Sequence, residues 1–557
     1  MYNLLLGGAA GDGIETMSAL LEKILKQSGC HLFTIRDFMS RVRGGHNFTQ
    51  IRFGNTPLAA HRDTLDGLFA IDETTYKEHC HQLSSNGFIL CDDSLIIDDD
   101  RVMRLPLKEA AKKIGNPKVV SSVAIGSLLK LFDFSLTPAA DIFKTNLRAD
   151  LVAVNLSALE KGYNLVKPRF NLDPVQTSDQ ILLSGNTAIG LGALASGLKF
   201  YSAYPMSPST TLLDFFNAHG NKMNVAVEQA EDEIAAINMA IGASYAGAPA
   251  MTGTSGGGFS LMVEALGFTG IAEIPLVVVD VQRPGPATGF PTRTEQSDLN
   301  FVISASQGEF PRMVIALRDH ADCFYQTARS FALAKKYQLP VILLSDQYLA
   351  DSTTTLPILN TNDIVTYSPE PDALPEKERY RRYALTASGI SPLRIPGKTE
   401  ALVRVDSDEH DEFGQITESA SLRNQMVEKR MHKLDLLKDE LIEPEFYGYE
   451  HCQSLLLGFG STSGAIKEAV DILNADVENY GALLFGDIYP LPINQLKYYA
   501  AQVVEIINVE QNATGQLAAL IRQEALICCN NSILKYDGRQ LSVDDILSGI
   551  KNMKGGF

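Results

Sequence analysis

The side chains of this chain best suited to chemistry lie between Ser184 and Leu299, in the runs YPMSPST, EQAEDEIAA, TGTSGGGFSLM and QRPGPATGFPTRTEQSDL. Each run falls where a strand should give way to a helix or loop. Glu228, Glu231, Asp232 and Glu233 lead into a run of small and apolar residues, IAAINMAIGASYAG, which predicts a buried helix. Three of these acids read as ordinary first-turn residues favoured by the helix dipole. Glu233 stands nearest the buried stretch, and a carboxylate there needs a partner or a raised pKa. Such a group could exchange a proton with a heterocyclic nitrogen. Arg283 leaves the carboxyl end of an apolar strand, where open α/β sheets bind ligands. Its guanidinium could take a carboxylate through two parallel hydrogen bonds. Pro205 and Pro208 stiffen the loop around Ser207 and give its hydroxyl a fixed direction. Ser209 or Thr210 could cap the helix that follows. Gly256 and Gly257 lie in a glycine-rich turn that could cradle a ligand or merely cross a sheet edge. The set suits an organic cofactor together with a small oxo acid.

Other runs carry weaker signals. GGAAGDG, from Gly7 to Gly13, sits between a strand and a helix and could cradle phosphate. It lacks a full GxGxxG fingerprint, and a plain tight turn explains it as well. The run RDFMSRVRGGHNFTQIR gathers Arg36, Arg41, Arg43, His46 and Arg52 in an acidic chain. It could meet the phosphates of a nucleotide-bearing substrate, or form an intersubunit or solvated face. His79 and His81 in EHCHQ do not share a helix face, so they read as no metal pair. Arg293, Glu295, Gln296 and Asp298 read as loop structure or partner contacts.

The elements that must position these groups follow from periodicity. Residues 1–172 read as one α/β unit, with strands at NLLLGG, NFTQIRFG, GLFAID and GFILCD and a helix over IETMSALLEKILKQSG. Residues 167–180 are polar, with two prolines, and read as a linker. Residues 181–350 alternate strands and helices, which predicts a mostly parallel sheet covered on both faces. Residues 351–450 are richer in proline and charge and read as a connector, with LRNQMVEKRMHKLDLLKDEL as a charged, solvated helix. The α/β pattern returns over 451–557.

The bulk composition sets limits. With 557 residues, 45% apolar and 20% charged, the chain has the balance of a soluble multidomain protein. A net charge of −18 argues against general nucleic-acid binding. The seven cysteines include no CxxC, which disfavours a cysteine-held cluster or zinc ribbon on this chain. Scattered thiols point to a reducing, cytoplasmic compartment. The start MYNLLLGG lacks a basic n-region and reads as a strand, and no apolar run has the length of a membrane span.

In order along the chain, YPMSPST, EDEIAA, TSGGG, the QR-x-GP-x-TG-x-PT run, Q-x-DL and GEFPR resemble the α subunit of 2-oxoacid:ferredoxin oxidoreductases. Residues 1–172, through GGAAGDG and RVRGGH, resemble that family's γ domain. Residues 453–557, through LLGFGSTSGAIKEAV and VEQNATGQLA, resemble its second α domain. The order is that of a γ–α fusion. The resemblance implies a γ-type α/β domain, a thiamine-diphosphate-fold pyrimidine domain and a smaller transketolase C-terminal-like domain. It implies oxidative decarboxylation of a 2-oxoacid with coenzyme A, giving acyl-CoA, carbon dioxide and reduced ferredoxin. A β subunit would bring the diphosphate–magnesium site and an iron–sulfur cluster, in a dimer of heterodimers.

Carried over by position, Glu233 faces the aminopyrimidine of thiamine diphosphate, with Glu228 as the fallback. Arg283 meets the substrate carboxylate, while Ser207 stands where the family usually has Thr and Met206 where it has Ile. Pro205, Gly256 and Gly257 fall in the cofactor-binding runs, with Gly257 where Pro is common. Arg41, Arg43 and Gly44 become coenzyme A candidates. The substrate leans to 2-oxoglutarate, with pyruvate and branched-chain 2-oxoacids open. The other classes are a non-catalytic scaffold subunit, and a Rossmann-type dehydrogenase built on residues 1–172.

Overall fold

The computed structural model describes residues 1–39, 45–172, 179–362, 364, 379–475, 477 and 479–555. The chain forms two compact units. The first comprises Met1–Ser184, Asp351–Leu359 and Ser542–Asp544, and the second the remainder.

The first unit is built on an eight-stranded mixed sheet. Its spatial order is Val102–Leu105, Leu83–Asp92, Leu65–Ala70, Tyr2–Ala9, His46–Gly54, His31–Asp37, Thr353–Pro357 and Gln180–Ser184. Tyr2–Ala9 runs parallel to Leu65–Ala70 but antiparallel to His46–Gly54. That pairing departs from the all-parallel sheet of a Rossmann dinucleotide fold. The helix Ile14–Gln27 buries Met17, Leu21 and Ile24, the i, i+4, i+7 spacing of an apolar stripe. The segment read as a connector from residue 351 begins with a strand of this sheet. Its threonines conceal it: Thr354 Oγ1 donates to the Leu32 carbonyl and Thr355 Oγ1 accepts from the Leu32 amide, so polar side chains are satisfied inside.

The second unit holds two sheets. The larger has seven strands, in the order Asp487–Tyr489, Met313–Ala316, Pro340–Asp346, Leu276–Gln282, Ala250–Thr254, Phe200–Ala203 and Ala226–Gln229. Only the first pair is antiparallel. Leu276–Gln282 and Pro340–Asp346 are buried along their whole length, as parallel strands covered on both faces must be. The smaller sheet has five strands centred on Ser454–Phe459. Phe259, Met262 and Leu266 on the helix Gly256–Ile271 belong to the same apolar core as Leu457, Phe459, Leu483 and Phe485.

The charged run after residue 420 does form a helix, Ala420–Leu437, but not a fully solvated one. Lys429 and Lys433, four residues apart on one face, are buried against the buried Glu273. Lys429 Nζ donates to the Glu273 carboxylate at 2.6 and 2.7 Å, and Lys433 Nζ donates to it as well. Arg382 bonds the Glu273 carbonyl at 2.6 Å. Charge patterning alone could not reveal this, because the acid that draws the lysines inward lies over 150 residues away. Burial pushes the Glu273 carboxyl up, but Lys433 and Lys429 outweigh it and hold it well below the usual carboxylate range. Burial brings the Lys433 ammonium down to about 8.

Glu273→Gln leaves two ammonium groups buried opposite a neutral amide. Breaking such a cluster costs about 3–5 kcal/mol, so the unfolding midpoint, followed by circular dichroism, should fall markedly at pH 7. Because the folded carboxyl titrates lower than the unfolded one, its contribution is full above the unfolded pKa and fades as pH drops. The gap between wild type and variant should therefore narrow in acid.

Candidate functional site

Four of the sequence-predicted groups follow four strands of the seven-stranded sheet. Ser207 follows Phe200–Ala203, Glu233 follows Ala226–Gln229, Gly256 follows Ala250–Thr254, and Arg283 follows Leu276–Gln282. The chain steps outward from Phe200–Ala203 to Ala226–Gln229, then crosses back to Ala250–Thr254. That reversal is a topological switch point, and the crevice beyond the carboxyl ends of such strands is where open α/β sheets bind ligands.

Glu233 is the first residue of the helix Glu233–Tyr245, but it does not cap it. Asp232 is the cap, its carboxylate accepting from the Ala235 amide at 2.7 Å. Glu231 precedes the cap, and Glu228 is exposed on the edge strand, so neither is a first-turn acid. Glu233 is 2% exposed, and its Oε1 is buried without a hydrogen-bond partner among the described residues. Burial raises its carboxyl above the usual range, and Arg283 offsets this only in part.

The glycine turn makes room for that carboxyl. A Cβ on Gly258 would lie 2.1 Å from Thr254 Oγ1 and 2.5 Å from Glu233 Oε1. A Cβ on Gly256 would lie 2.4 Å from Asp298 Oδ2. Gly257 faces open space, with only the Ala287 carbonyl at 3.6 Å. The demanding positions are thus the outer two glycines. Gly258 was not singled out from the sequence, because the fit of its hydrogen against an acid 25 positions earlier has no local signature.

Arg283 is buried, and its Nη1 donates to the Ser207 carbonyl at 2.6 Å. Its Nε is buried without a partner among the described residues. Ser207 itself is exposed and Pro205 half-buried. The Ser209 hydroxyl donates back to the Met206 carbonyl at 2.7 Å and caps no helix. Two acids read as unremarkable, or not read at all, lie close by. Among the described residues, Asp280 is fully buried with neither oxygen partnered, and Asp298 Oδ2 is likewise without a partner. Burial pushes both up, Asp298 to about 7, and the Asp298 charge raises Asp280 further.

The loop beyond Arg283 is anchored on the smaller sheet. Gln296 Nε2 donates to the Phe459 carbonyl at 2.8 Å, and its amide donates to the Gln511 carbonyl at 2.7 Å. Asn512 Nδ2 donates to the Gln296 carbonyl at 3.0 Å. Gln296 is therefore loop structure, and VEQNATGQLA serves as its socket.

In the first unit, Gly7 and Gly8 belong to a strand, leaving Gly11 (φ +104°) and Gly13 (φ +81°) to make the turn. Arg41, Arg43 and Gly44 lie outside the described residues. Arg36 is drawn into the interior, bonding Glu22 at 2.6 Å and Thr353 at 2.7 Å. Arg52 is buried on the Ala60 carbonyl. Neither presents itself to a phosphate. His79 pairs with His46, Nε2 to Nε2 at 2.8 Å, and with Gln82 at 2.7 Å.

Comparison with known proteins covers the same ground. Residues 3–165 match the family model for pyruvate ferredoxin/flavodoxin oxidoreductase. Residues 191–429 match that for the thiamine-diphosphate-binding part of pyruvate flavodoxin/ferredoxin oxidoreductase, and 453–546 that for core domain II of pyruvate:ferredoxin oxidoreductase. A 2-oxoacid:ferredoxin oxidoreductase subunit alpha from a Sulfolobus species is 31% identical across 99% of this chain and 97% of its own length. The 2-oxoglutarate oxidoreductase subunit KorA of Mycobacterium tuberculosis is 30% identical over 78% of this chain and 68% of its own. Among solved structures, 2-oxoglutarate:ferredoxin oxidoreductase from Magnetococcus marinus, with 2-oxoglutarate, coenzyme A and succinyl-CoA bound, superposes with a TM-score of 0.93. It is 32% identical over 99% of each chain.

A methyl group at Gly258 must displace the Glu233 carboxyl, and a shift of about 1 Å in a reacting group costs on the order of 10²-fold in rate. Gly258→Ala should therefore lose about that much turnover in the assembled oxidoreductase, whereas Gly257→Ala should stay near wild type. Initial rates of the two variants side by side check this.

Proposed function

The chain belongs to the 2-oxoacid:ferredoxin oxidoreductase family, and we propose that it supplies the pyrimidine side of a thiamine diphosphate site shared with a β subunit. The enzyme would convert a 2-oxoacid and coenzyme A to acyl-CoA, carbon dioxide and reduced ferredoxin. The observation that carries this reading is the Glu233 carboxyl, buried with an orphaned oxygen in a space that Gly258 keeps open. A buried oxygen without a partner is costly unless a ligand completes it, and an aminopyrimidine nitrogen is a fitting complement. The residues therefore fit the cofactor.

Glu233 would hold the ring and exchange a proton with its nitrogen. Its raised carboxyl suits that task, since a group with a pKa nearer the working pH both gives and takes protons readily. Gly258 would keep the place of the carboxyl clear, with Thr254 lining the same space. Thiamine diphosphate, when bound, supplies the electron sink that makes loss of carbon dioxide from a 2-oxoacid possible. Arg283 would bind the substrate carboxylate. Its Nη1 is held by Ser207, which fixes the guanidinium plane and leaves the unpartnered Nε on an edge suited to a bidentate contact.

The diphosphate, magnesium and iron–sulfur cluster belong, in this reading, to the β subunit. The helices Glu233–Tyr245 and Gly256–Ile271 are apolar nearly all round, yet Ile234 (50%), Met239 (38%) and Leu261 (48%) are exposed. Helices of that kind are normally covered, which supports a partner docking beside Glu233. The relatives named for 2-oxoglutarate support that acid as the substrate. A cytoplasmic location accords with the family's chemistry.

In the complex with its β subunit, Glu233→Gln should retain thiamine diphosphate but lose about 10²–10⁴-fold in turnover, the usual worth of a positioned acid–base group. Cofactor content and initial rates measure the two separately. Full turnover in that variant would favour a scaffold role instead.

A further inference from the structure

We propose that Asp298, backed by the buried Asp280, is a positioning residue that counterbalances Arg283: it is ionised while the guanidinium is free and takes up a proton when the guanidinium binds a substrate carboxylate. The proposal rests on the assignment of Arg283 as the carboxylate-binding group.

Asp298 is oddly used for its place in the fold. It stands at the start of the helix Leu299–Ser304, where an aspartate ordinarily caps, yet its side chain makes no cap bond. The carboxyl is turned instead against the glycine turn, so close that only glycine fits at position 256. Its backbone is pinned there. The Asp298 amide donates to Gln282 Oε1 at 3.0 Å, and Gln282 Nε2 donates to the Ser345 carbonyl at 3.0 Å. Gln282 immediately precedes Arg283, so the acid and the cation are fixed to the same strand end.

The charges around them do not balance by direct pairing. Arg283 makes no ion pair among the described residues: its Nη1 bonds the neutral Ser207 carbonyl and its Nε has no partner. The acids whose fields reach this neighbourhood are Asp280 from the central strand, Glu295 from the loop, and Glu233 from the facing helix. Asp280 sits in register with Thr254 on the adjacent strand and has neither oxygen hydrogen-bonded. Asp280 is fully buried and Asp298 half-buried with one oxygen unpartnered, and two such neighbouring carboxyls repel one another too strongly for both to stay ionised. Asp280, the more deeply buried, retains its proton, and Asp298 is the member that titrates, at about 7. A substrate carboxylate adds one more negative charge around a single guanidinium. Asp298 answers by binding a proton from solvent, which restores the balance.

The sign follows. Bound substrate favours protonated Asp298, so affinity is full below the free-enzyme pKa of Asp298 and weakens as pH rises through it. If the coupling is about one pKa unit, affinity changes about tenfold.

The test uses the assembled enzyme with thiamine diphosphate and N-oxalylglycine, an unreactive isostere of 2-oxoglutarate. Calorimetry at pH 7.5 in buffers of different ionisation heat counts the protons taken up on binding. Wild type should take up a substantial fraction of a proton. Asp298→Asn should take up essentially none, Asp298→Glu should restore uptake, and the KM for the 2-oxoacid should rise about tenfold from pH 6 to 8.5 in wild type but stay flat in Asp298→Asn. Equal uptake in wild type and Asp298→Asn overturns the proposal. So does zero uptake in wild type, which decides the matter even if the variant fails to assemble. Arg283→Ala separates the two levels. If it binds the isostere as wild type does, the Arg283 assignment is at fault; if it loses binding while Asp298→Asn keeps wild-type uptake, only the Asp298 proposal falls.

Discussion

A carboxyl buried with an unsatisfied oxygen costs about 1–3 kcal/mol, and this protein holds one in place at Glu233. Much of the surrounding architecture follows from that constraint. Asp232 takes over the capping of the helix, which releases Glu233 from it. Gly258 surrenders its side chain so that the carboxyl has room. The switch point of the seven-stranded sheet brings the Glu233 helix and the glycine turn to the same rim. A site that carries an unmet hydrogen bond in isolation is one prepared for a ligand that completes it.

The same economy applies to charge. Among the described residues, Arg283 is buried without an ionic partner, Asp280 is buried with neither oxygen hydrogen-bonded, and half-buried Asp298 keeps one oxygen unpartnered. Buried Glu273, by contrast, is matched by Lys429 and Lys433. The Glu273 cluster fastens the helix Ala420–Leu437 to the end of the Gly256–Ile271 helix, whereas the unmatched groups collect at the ends of the strands that define the crevice. Both rest on a rigid frame, since the loop bearing Gln296 is tied to the smaller sheet by reciprocal amide bonds.

The parts of this design that show in the sequence are those written locally. Alternating apolar strands and periodic helices located the strands bearing Ser207, Glu233, Gly256 and Arg283, because a parallel βα repeat leaves a strong pattern. Glu233 stood out by its position before a buried run. Long-range complements left no such trace. Gly258 matters because of Glu233, Lys433 because of Glu273, and Asp298 because of Arg283 and Gly256, and none of these pairs is near in sequence. Thr353–Pro357 passed for a connector because its threonines find partners only once the strand is paired. Within the basic run, Arg36 bonds Glu22 and Arg52 bonds the Ala60 carbonyl inside the fold, while Arg41 and Arg43 lie outside the described residues.

The most direct test of the account is to co-purify the chain from its native host with its partner, then follow coenzyme A-dependent reduction of a viologen dye by a panel of 2-oxoacids. Activity confined to the complex, greatest with 2-oxoglutarate and dependent on thiamine diphosphate, is the predicted result. Turnover by the lone chain, or an active complex that neither contains nor needs thiamine diphosphate, would contradict it.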